Sequence, residues 1–408
     1  MRPTPFVVLC SAGFFAIFSS TISKSPVLPL FASYLGADPA GVGMVAAVSA
    51  FTGIFVGIPA GMLSDRVGRR RMLIFAALVF STAPFLYLLV TQLWQLALIR
   101  LYHGVATAVF IPVAMALVVD LFHKERGEKI GWFSASTLIG RFMAPIVGGA
   151  VIGMLALNPG IGYRVVYLVC GIAGVLALLL VFSIPDQAKA KGDEQRWAEK
   201  LSSLMFIALT NKGILITSIV EAAMLFAYGT FETFLPLYSI KIGLSAYTVG
   251  AFLSAQVITL ALTKPMMGRF SDRHGRKPQI IVGAIIGALC VGSISLFESF
   301  LPLLALSILL GLSLSIVTSA TSALIADLSR RETHGSAMGV FGSIMDIGHT
   351  AGPLASGIVV TYFGFGKAFV MASLILIAAA FLFWLGAVAG GLVGRIEEVH
   401  DETISPFK

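Results

Sequence analysis

Long apolar runs separated by short polar connectors repeat along the whole chain of 408 residues. A helix that spans a membrane needs about 20 mostly apolar residues, and twelve runs reach that length. Spans 1 to 12 are predicted at approximately 6–34, 41–63, 72–92, 94–122, 129–154, 162–183, 212–240, 247–270, 279–297, 300–328, 334–361 and 366–394. The pattern predicts an all-α integral membrane protein with twelve transmembrane helices.

The composition agrees with lipid as the solvent. Hydrophobic residues make up 57% of the chain and charged residues only 12%, whereas a soluble domain has about 25% charged residues. The residues show no nucleophile motif and no histidine or carboxylate cluster with metal-ligand spacing, so neither an enzyme nor a metal site is expected. Cys10, Cys170 and Cys290 lie far apart in apolar runs and are predicted to be packing residues.

The basic residues predict the orientation in the membrane. They collect in the loops on one side, at Arg2, 65–71, 123–129, 186–200, 271–277, 329–334 and Arg395, while the other side has few cations. By the positive-inside rule the basic side is cytoplasmic. We therefore predict a multi-pass protein of the plasma (inner) membrane with both termini in the cytoplasm. The net charge of +8 is explained by these loops, so no nucleic-acid partner is expected.

The chain contains an internal duplication. The stretch 61–71 places Gly, Ser, Asp, Arg, Gly and Arg at the same spacing as the stretch 268–277, which begins 207 residues later. Other features recur at nearly the same offset: Leu28-Pro29-Leu30 with Leu235-Pro236-Leu237, Asp120 with Asp327, and Gly140, Pro145 and Gly149 with Gly348, Pro353 and Gly357. We predict two pseudo-symmetric halves of six helices, 1–184 and 206–395, joined by a polar cytoplasmic linker at 185–205 and followed by a tail at 396–408.

The two loops resemble a known family signature. The pattern Gly-x-x-x-Asp-Arg-x-Gly-Arg-Arg at 61–70 is similar to the loop of the major facilitator superfamily between spans 2 and 3, and it recurs between spans 8 and 9. Span 5 resembles the motif of the family's antiporters at Gly131, Gly140, Ala144, Pro145, Gly148 and Gly149, with Ala144 where glycine is usual. Arg100 with Gly104 resembles an element of the drug:proton antiporters.

This resemblance implies the major facilitator fold and a proton-driven exporter. It implies a monomer whose partners are a small-molecule substrate and membrane lipid, with the proton as coupling ion and no cofactor. It does not identify the cargo.

The resemblance also implies a cytoplasmic gate that stabilises the outward-facing state. Asp65 would accept hydrogen bonds from the N-terminus of span 11, and Arg69 would pair with Asp120. Asp272, Arg276 and Asp327 would repeat this arrangement across span 5, with Gly61 and Gly268 permitting close helix contact. The alternative is a loop that only sets topology. Gly140, Pro145, Gly149, Gly348, Gly352 and Pro353 are predicted to form a bending seam between the halves, the alternative being ordinary helix packing.

The clearest cases of charged side chains inside predicted spans are Lys24, Arg100, Arg141, Glu221, Glu232 and Asp346. Each costs roughly 2.5–3.5 kcal/mol in lipid and is a functional candidate. A carboxyl group in a dry cavity exchanges a proton readily, so Glu232 and Asp346, followed by Glu221, are the candidate proton carriers. His349 is the candidate relay, the alternative being a hydrogen-bonded helix contact. A static Lys24–Glu232 pair that holds the halves together is the alternative. Asp346 and His349 supply too few ligands for a metal.

The sequence does not decide which class of compound is transported. Substrate-cavity candidates are Lys24, Arg100, Arg141, Gln256, Phe231 and Tyr228. Aromatic residues of spans 1 and 7, namely Phe14, Phe15, Phe18, Phe226, Tyr228, Phe231 and Phe234, favour an amphipathic or cationic compound, unless these rings merely pack helices. A dedicated carrier of an anionic metabolite that uses Lys24, Arg100 and Arg141 is the alternative. A receptor or scaffold without transport activity is a third hypothesis.

Overall fold

The chain folds as a bundle of membrane-spanning helices. The computed structural model describes residues 4–122, 125–185, 210–329 and 334–386, and no strand occurs within these ranges. The spans have the following bounds: span 1 as Pro5–Ile22 and Val27–Tyr34, span 2 Pro39–Val67, span 3 Arg69–Tyr87, span 4 Leu93–Leu121, span 5 Arg126–Met154, span 6 Pro159–Phe182, span 7 Lys212–Lys241, span 8 Ala246–His274, span 9 Arg276–Ser293, span 10 Phe300–Leu328, span 11 His334–Phe363 and span 12 Phe365–Trp384.

The twelve predicted spans are all present as helices. Within the described ranges, eleven of them are long and apolar enough to cross a membrane. The twelfth is span 11, which is rich in glycine and carries Asp346 and His349. Asp346 and His349 lower its hydropathy, and its glycines permit the close helix contacts described below.

Span 1 differs from the prediction of one continuous helix. It breaks at residues 23–26 and continues as a second helix from Val27. Pro26 lacks a backbone N–H and disfavours a helical conformation in the residue before it. The break places Lys24 on a turn in the membrane-spanning region, where its side chain points to the second half of the protein.

The two signature loops have the same backbone conformation. Gly68 follows the last residue of span 2 and Gly275 that of span 8, with φ angles of 106° and 88°. A residue with a Cβ atom rarely adopts this conformation. The shared glycine therefore makes the sharp turn from one span into the next. We call the end of the bundle with these loops the basic end, and the other end the opposite end.

The helix contacts repeat between the two halves. Span 1 packs on spans 5 and 6, span 2 on span 4, and span 3 on span 6, while span 7 packs on spans 11 and 12, span 8 on span 10, and span 9 on span 12. Between the halves, span 2 packs on span 11 and span 5 on span 8, which are equivalent pairs under the duplication. The contacts therefore have the pseudo-symmetry that the sequence predicts. The predicted linker beyond residue 185 and the predicted tail lie outside the described residues, so the domain boundaries remain predictions.

Glycines bring the halves into backbone contact at the opposite end. A Cβ atom added to Gly43 of span 2 would lie 2.2 Å from the Pro353 carbonyl oxygen of span 11, and one on Gly149 of span 5 would lie 2.6 Å from the Ala246 oxygen of span 8. Toward the basic end, added Cβ atoms on Gly57 and Gly268 meet no atom within 4 Å. The halves are therefore joined at the opposite end and separated toward the basic end.

Candidate functional site

A cavity of about 570 Å³ lies between the halves. Spans 1, 2, 4 and 5 line one wall and spans 7, 8, 10 and 11 the other. In span 2 its lining runs from Ser49 to Gly57, on the basic-end side of the closing contact at Gly43. The volume is within the range of small-molecule sites, about 300–1,000 Å³. The cavity is therefore closed from the opposite end and reached from the basic end.

Three charged or titratable side chains join the halves where the cavity ends. Lys24 Nζ of span 1 lies 2.7 Å from Glu232 Oε2 of span 7. His349 Nε2 of span 11 lies 3.3 Å from Lys24 Nζ and 3.4 Å from Glu232 Oε2. One ring nitrogen can accept from the ammonium or donate to the carboxylate, but not both. The proton on His349 is therefore linked to the state of the ion pair.

The surroundings of this cluster hold its geometry. The Tyr228 ring, one turn before Glu232, stacks on the His349 imidazole with 5.7 Å between ring centroids. Arg141 of span 5 lines the same cavity. Only 10% of the Glu232 side chain is exposed. The ion pair that was the alternative role for Glu232 is thus the arrangement present in this state.

Asp346 lies one turn before His349 and lines the same cavity. Within the described part of the chain its carboxylate makes no hydrogen bond and no ion pair, and its side chain is half-buried. A Cβ atom on Gly53 of span 2 would lie 2.9 Å from Asp346 Oδ2, so the glycine makes room for the carboxylate. Gly53 was missed in the sequence because only its three-dimensional neighbour gives it a role.

Arg100 is a buried cation with weak partners. It is 4% exposed. Its Nη1 lies 3.4 Å from Ser23 Oγ and 3.5 Å from Tyr87 Oη, at the limit for hydrogen bonds, and its Nε has no partner in the described residues. His103, three residues later on the same helix face, lines the cavity beside it and was missed in the sequence.

The remaining polar lining adds further cations. Arg141 and Lys264 both line the cavity, and Lys264 is a charged residue inside predicted span 8 that the sequence reasoning overlooked. Gln256 is 1% exposed, and neither its amide oxygen nor its amide nitrogen has a partner in the described residues. Among the described residues the cavity has four cations, Lys24, Arg100, Arg141 and Lys264, and two carboxylates, Glu232 and Asp346. It therefore carries an excess of two positive charges when its histidines are neutral.

Two predicted site residues lie away from the cavity. Glu221 is fully buried inside the second half, where its Oε2 accepts a hydrogen bond of 2.8 Å from Thr321 Oγ1 of span 10. Phe231 is 1% exposed and belongs to the apolar core of that half. Glu221 differs from Glu232 because span 10 packs on its side chain, although Leu225 one turn later lines the cavity.

The expected aromatic lining is also absent from the described cavity. Of the seven aromatic residues proposed from spans 1 and 7, only Tyr228 lines it. Phe18, Phe226 and Phe234 are buried among apolar side chains. The rings pack helices against each other, which was the alternative interpretation, so they give no support to a cationic cargo.

The signature loops contain both predicted ion pairs. Arg69 Nε lies 3.1 Å from Asp120 Oδ2, and Arg276 pairs with Asp327. Asp272 contacts Arg276 of its own loop at 3.3 Å rather than span 5, because the halves are apart at this end. The side chains of Gly61 and Asp65 lie outside the described part of the structure. The loops therefore have the local pairing expected of a gate, while the described residues form no bridge from Asp272 to span 5.

The predicted bending motif holds helices together within and between halves. Added Cβ atoms on Gly140, Gly348 and Gly352 would lie 2.6, 2.1 and 2.3 Å from the carbonyl oxygens of Phe14, Ala222 and Phe226. Spans 5 and 11 continue as helices through Pro145 and Pro353. Span 5 thus contacts span 1 of its own half and span 8 of the other half, and span 11 contacts span 7 of its own half and span 2 of the other half. Bending of these spans remains a prediction.

Comparisons of the sequence identify its relatives. The model of the Major Facilitator Superfamily matches residues 9–260 and 241–400. An uncharacterized MFS-type transporter of Methanocaldococcus jannaschii is 24% identical over 385 residues, which are 94% of this chain and 96% of that protein. Multidrug resistance protein 2 of Bacillus subtilis is 24% identical over 88% of this chain and 89% of its own. Multidrug resistance protein MdtG of Salmonella paratyphi C is 26% identical over the same shares.

Solved structures share the fold. A bacterial homolog of the human lysosomal transporter Spinster, in an inward-facing and unoccupied conformation, superposes with a TM-score of 0.82 at 16% identity, covering 95% of this chain and 98% of its own. The nucleoside transporter NupG superposes with a TM-score of 0.75 at 15% identity, covering 93% and 98%. At these identities the likeness concerns the arrangement of helices alone.

Proposed function

Since this chain belongs to the Major Facilitator Superfamily, we propose that it is a proton-coupled antiporter that exports small amphipathic organic compounds. Membership makes it a multi-pass membrane transporter and not an enzyme. Two relatives named as multidrug resistance proteins support export of organic compounds. In this proposal the cavity alternates between the two sides of the membrane, and proton and cargo move in opposite directions.

The observation that carries the proposal is the ion pair between Lys24 and Glu232. It joins the two halves at the closed end of the cavity, with 2.7 Å between Nζ and Oε2. Moving the halves apart at that end would leave two charges in the membrane without partners, which is costly. The unloaded carrier with an ionised Glu232 is therefore held in the state that is open to the basic end.

In an antiporter the proton and the cargo must each be able to break the ion pair between Lys24 and Glu232. A proton on Glu232 removes its charge and with it the attraction to Lys24. Cargo in the cavity reaches the same cluster, because Lys24, Glu232 and His349 all line it, and a polar cargo group competes with one partner for the other. An unloaded carrier that cannot switch, and loaded forms that can, are the requirements for coupled exchange.

Asp346 has the second role in this proposal. Its carboxylate faces the cavity without a hydrogen bond or ion pair among the described residues. It therefore accepts a proton or a polar cargo group from the basic end. His349, one turn away, connects it to the ion pair.

The orientation is part of the proposal. The positive-inside rule puts the basic end in the cytoplasm, so the present state is the one that loads cargo from the cytoplasm. The protein then lies in the plasma (inner) membrane with both termini in the cytoplasm, and it acts as a monomer.

Transport in liposomes tests the function. The purified protein is reconstituted, a pH gradient is imposed, and a cationic, a neutral and an anionic fluorescent dye of similar size are followed. The wild type should move at least one dye against its gradient, and Glu232→Gln and Asp346→Asn should lose this coupling. Glu221→Gln is the matched control, because this buried acid lies outside the cavity, and it should remain coupled.

Two outcomes would contradict the proposal. Movement of dye that ignores the pH gradient would exclude proton coupling. Equal coupling in the wild type and in Glu232→Gln would remove the ion pair from the mechanism.

A further inference from the structure

The first half of the protein contributes to the cavity wall a buried charge that no carboxylate neutralises. Arg100 is 4% exposed, and within the described residues no acidic group lies within ion-pair distance of it. The two carboxylates of the cavity belong to the second half, and Glu232 is already bound to Lys24. A buried charge without a counter-charge is costly, so its presence in the cavity wall requires an explanation.

The hydrogen bonds of Arg100 leave most of its capacity unused. A guanidinium has five N–H donors. Here Nη1 reaches only two hydroxyl groups, at 3.4 and 3.5 Å, and Nε has no partner in the part of the chain that the structure describes. Charge-assisted bonds to an anion are shorter, about 2.7–2.9 Å, and are often bidentate for arginine. The guanidinium thus keeps free N–H donors for an acceptor that is not among the described residues.

The charge of the whole cavity points the same way. Its described lining has four cations and two carboxylates. If Lys24 and Glu232 neutralise each other, the remaining charges of the lining are one carboxylate, Asp346, and three cations, Arg100, Arg141 and Lys264. Apart from Tyr228, the aromatic rings that would favour a cation lie elsewhere.

The uncharged residues of the cavity lining indicate what the rest of the ligand is like. Apolar side chains from both halves face the cavity: Ile111, Leu225, Leu253, Leu260, Leu314 and Met345. Gln256 adds a buried amide whose oxygen and nitrogen lack partners in the described residues. An apolar body with one charged group would therefore be accommodated.

We infer that the cargo is an amphipathic anion whose carboxylate, sulfonate or phosphate group binds the Arg100 guanidinium. This inference rests on the proposed function and specifies its substrate class. It reverses the sign of the charge that the aromatic residues of spans 1 and 7 suggested in the sequence.

Three probes with the same apolar body and different charges test the inference. They are 1-naphthalenesulfonate, 1-naphthylmethanol and 1-naphthyltrimethylammonium, and neither charged probe changes its charge with pH. Binding to the purified full-length protein is measured by calorimetry and by the shift in Tm. The wild type should bind the sulfonate at least tenfold more tightly than the ammonium.

Variants locate the binding group. Arg100→Gln should weaken sulfonate binding about tenfold or more and leave the alcohol unaffected, while Arg100→Lys, which keeps the charge but loses the bidentate geometry, should lie between. Arg141→Gln removes the same charge from a more exposed position and should have a smaller effect. Since Arg100 has no acidic partner among the described residues, Arg100→Gln without ligand should keep or raise the wild-type Tm, which separates lost binding from lost folding.

The results separate the inference from the proposed function. Equal sulfonate affinity in folded Arg100→Gln, an equal loss in Arg141→Gln, preference for the ammonium, or no binding of any probe would overturn the inference. Export of the ammonium probe driven by a pH gradient would overturn the inference, but it would still support the proposal of proton-coupled export. Arg100-dependent binding of the sulfonate without gradient-driven movement in liposomes would support the anion site and count against proton coupling.

Discussion

Replacing Gly43 by alanine should open the cavity at the opposite end. The added Cβ atom would lie 2.2 Å from the Pro353 carbonyl oxygen, whereas ordinary contact begins at 3.4 Å. The two helices must therefore separate by roughly 1.2 Å at this point. Because the contact joins span 2 to span 11, the strain acts on the state in which the halves meet there.

The size of the effect follows from overpacking. An extra methyl group in a tightly packed contact costs typically 1–3 kcal/mol. If this cost falls only on the present state, the ratio of the two states changes about 5- to 150-fold in favour of the state that is open at the opposite end. Gly57→Ala, in the same span, is the matched control, since its Cβ atom would meet no atom within 4 Å.

Distances between spin labels measure this ratio. Leu157→Cys and Glu298→Cys place labels on exposed loops of different halves at the opposite end. Cys10→Ser removes the half-buried cysteine, while Cys170 and Cys290 are buried and should not react. Pulsed electron–electron double resonance should detect a longer distance between the labels in Gly43→Ala and an unchanged distance in Gly57→Ala. An unchanged distance in folded Gly43→Ala, or an equal change in both variants, would refute the reasoning.

Three further predictions concern contacts within one half. Gly174→Ala should lower Tm without changing the label distance, because its Cβ atom would lie 2.0 Å from a backbone oxygen of the same half; a changed distance would contradict this. Thr321→Val removes the hydrogen bond to buried Glu221 and should destabilise the fold by about 1–3 kcal/mol, measured as a lower Tm, whereas an unchanged Tm would contradict this role. Asp120→Asn should change stability by less than about 1 kcal/mol, since its pair with Arg69 is partly exposed, and a larger loss would give the pair a structural role.

The sequence predicted the architecture well because lipid imposes simple rules. Apolar runs of about 20 residues must be helices there, so length alone located the spans. The repeated glycines at 68 and 275 reflect one turn conformation used twice. The break in span 1 was missed, since a proline in a membrane helix either bends it or ends it and the pattern does not distinguish the two.

The site was predicted less completely. Charges are expensive in lipid, so Lys24, Glu232 and Asp346 were found from their presence inside spans, and all three line the cavity. Neighbours between distant spans have no sequence signal, which is why Gly53 beside Asp346 was missed. Glu221 was placed in the site because helical spacing predicts a face but not the helix that packs on it.

The pH dependence of the label distance tests the central claim most directly. Protonation of Glu232 should release Lys24, so in the protein that retains Glu232 the fraction with the longer distance across the opposite end should rise as the pH is lowered. Glu232→Gln should show this longer distance at every pH. Both proteins should carry His349→Gln and Asp346→Asn, which remove the imidazole beside the pair and the second carboxyl group of the cavity. A pH response that persists in Glu232→Gln, or none when Glu232 is present, would contradict the account.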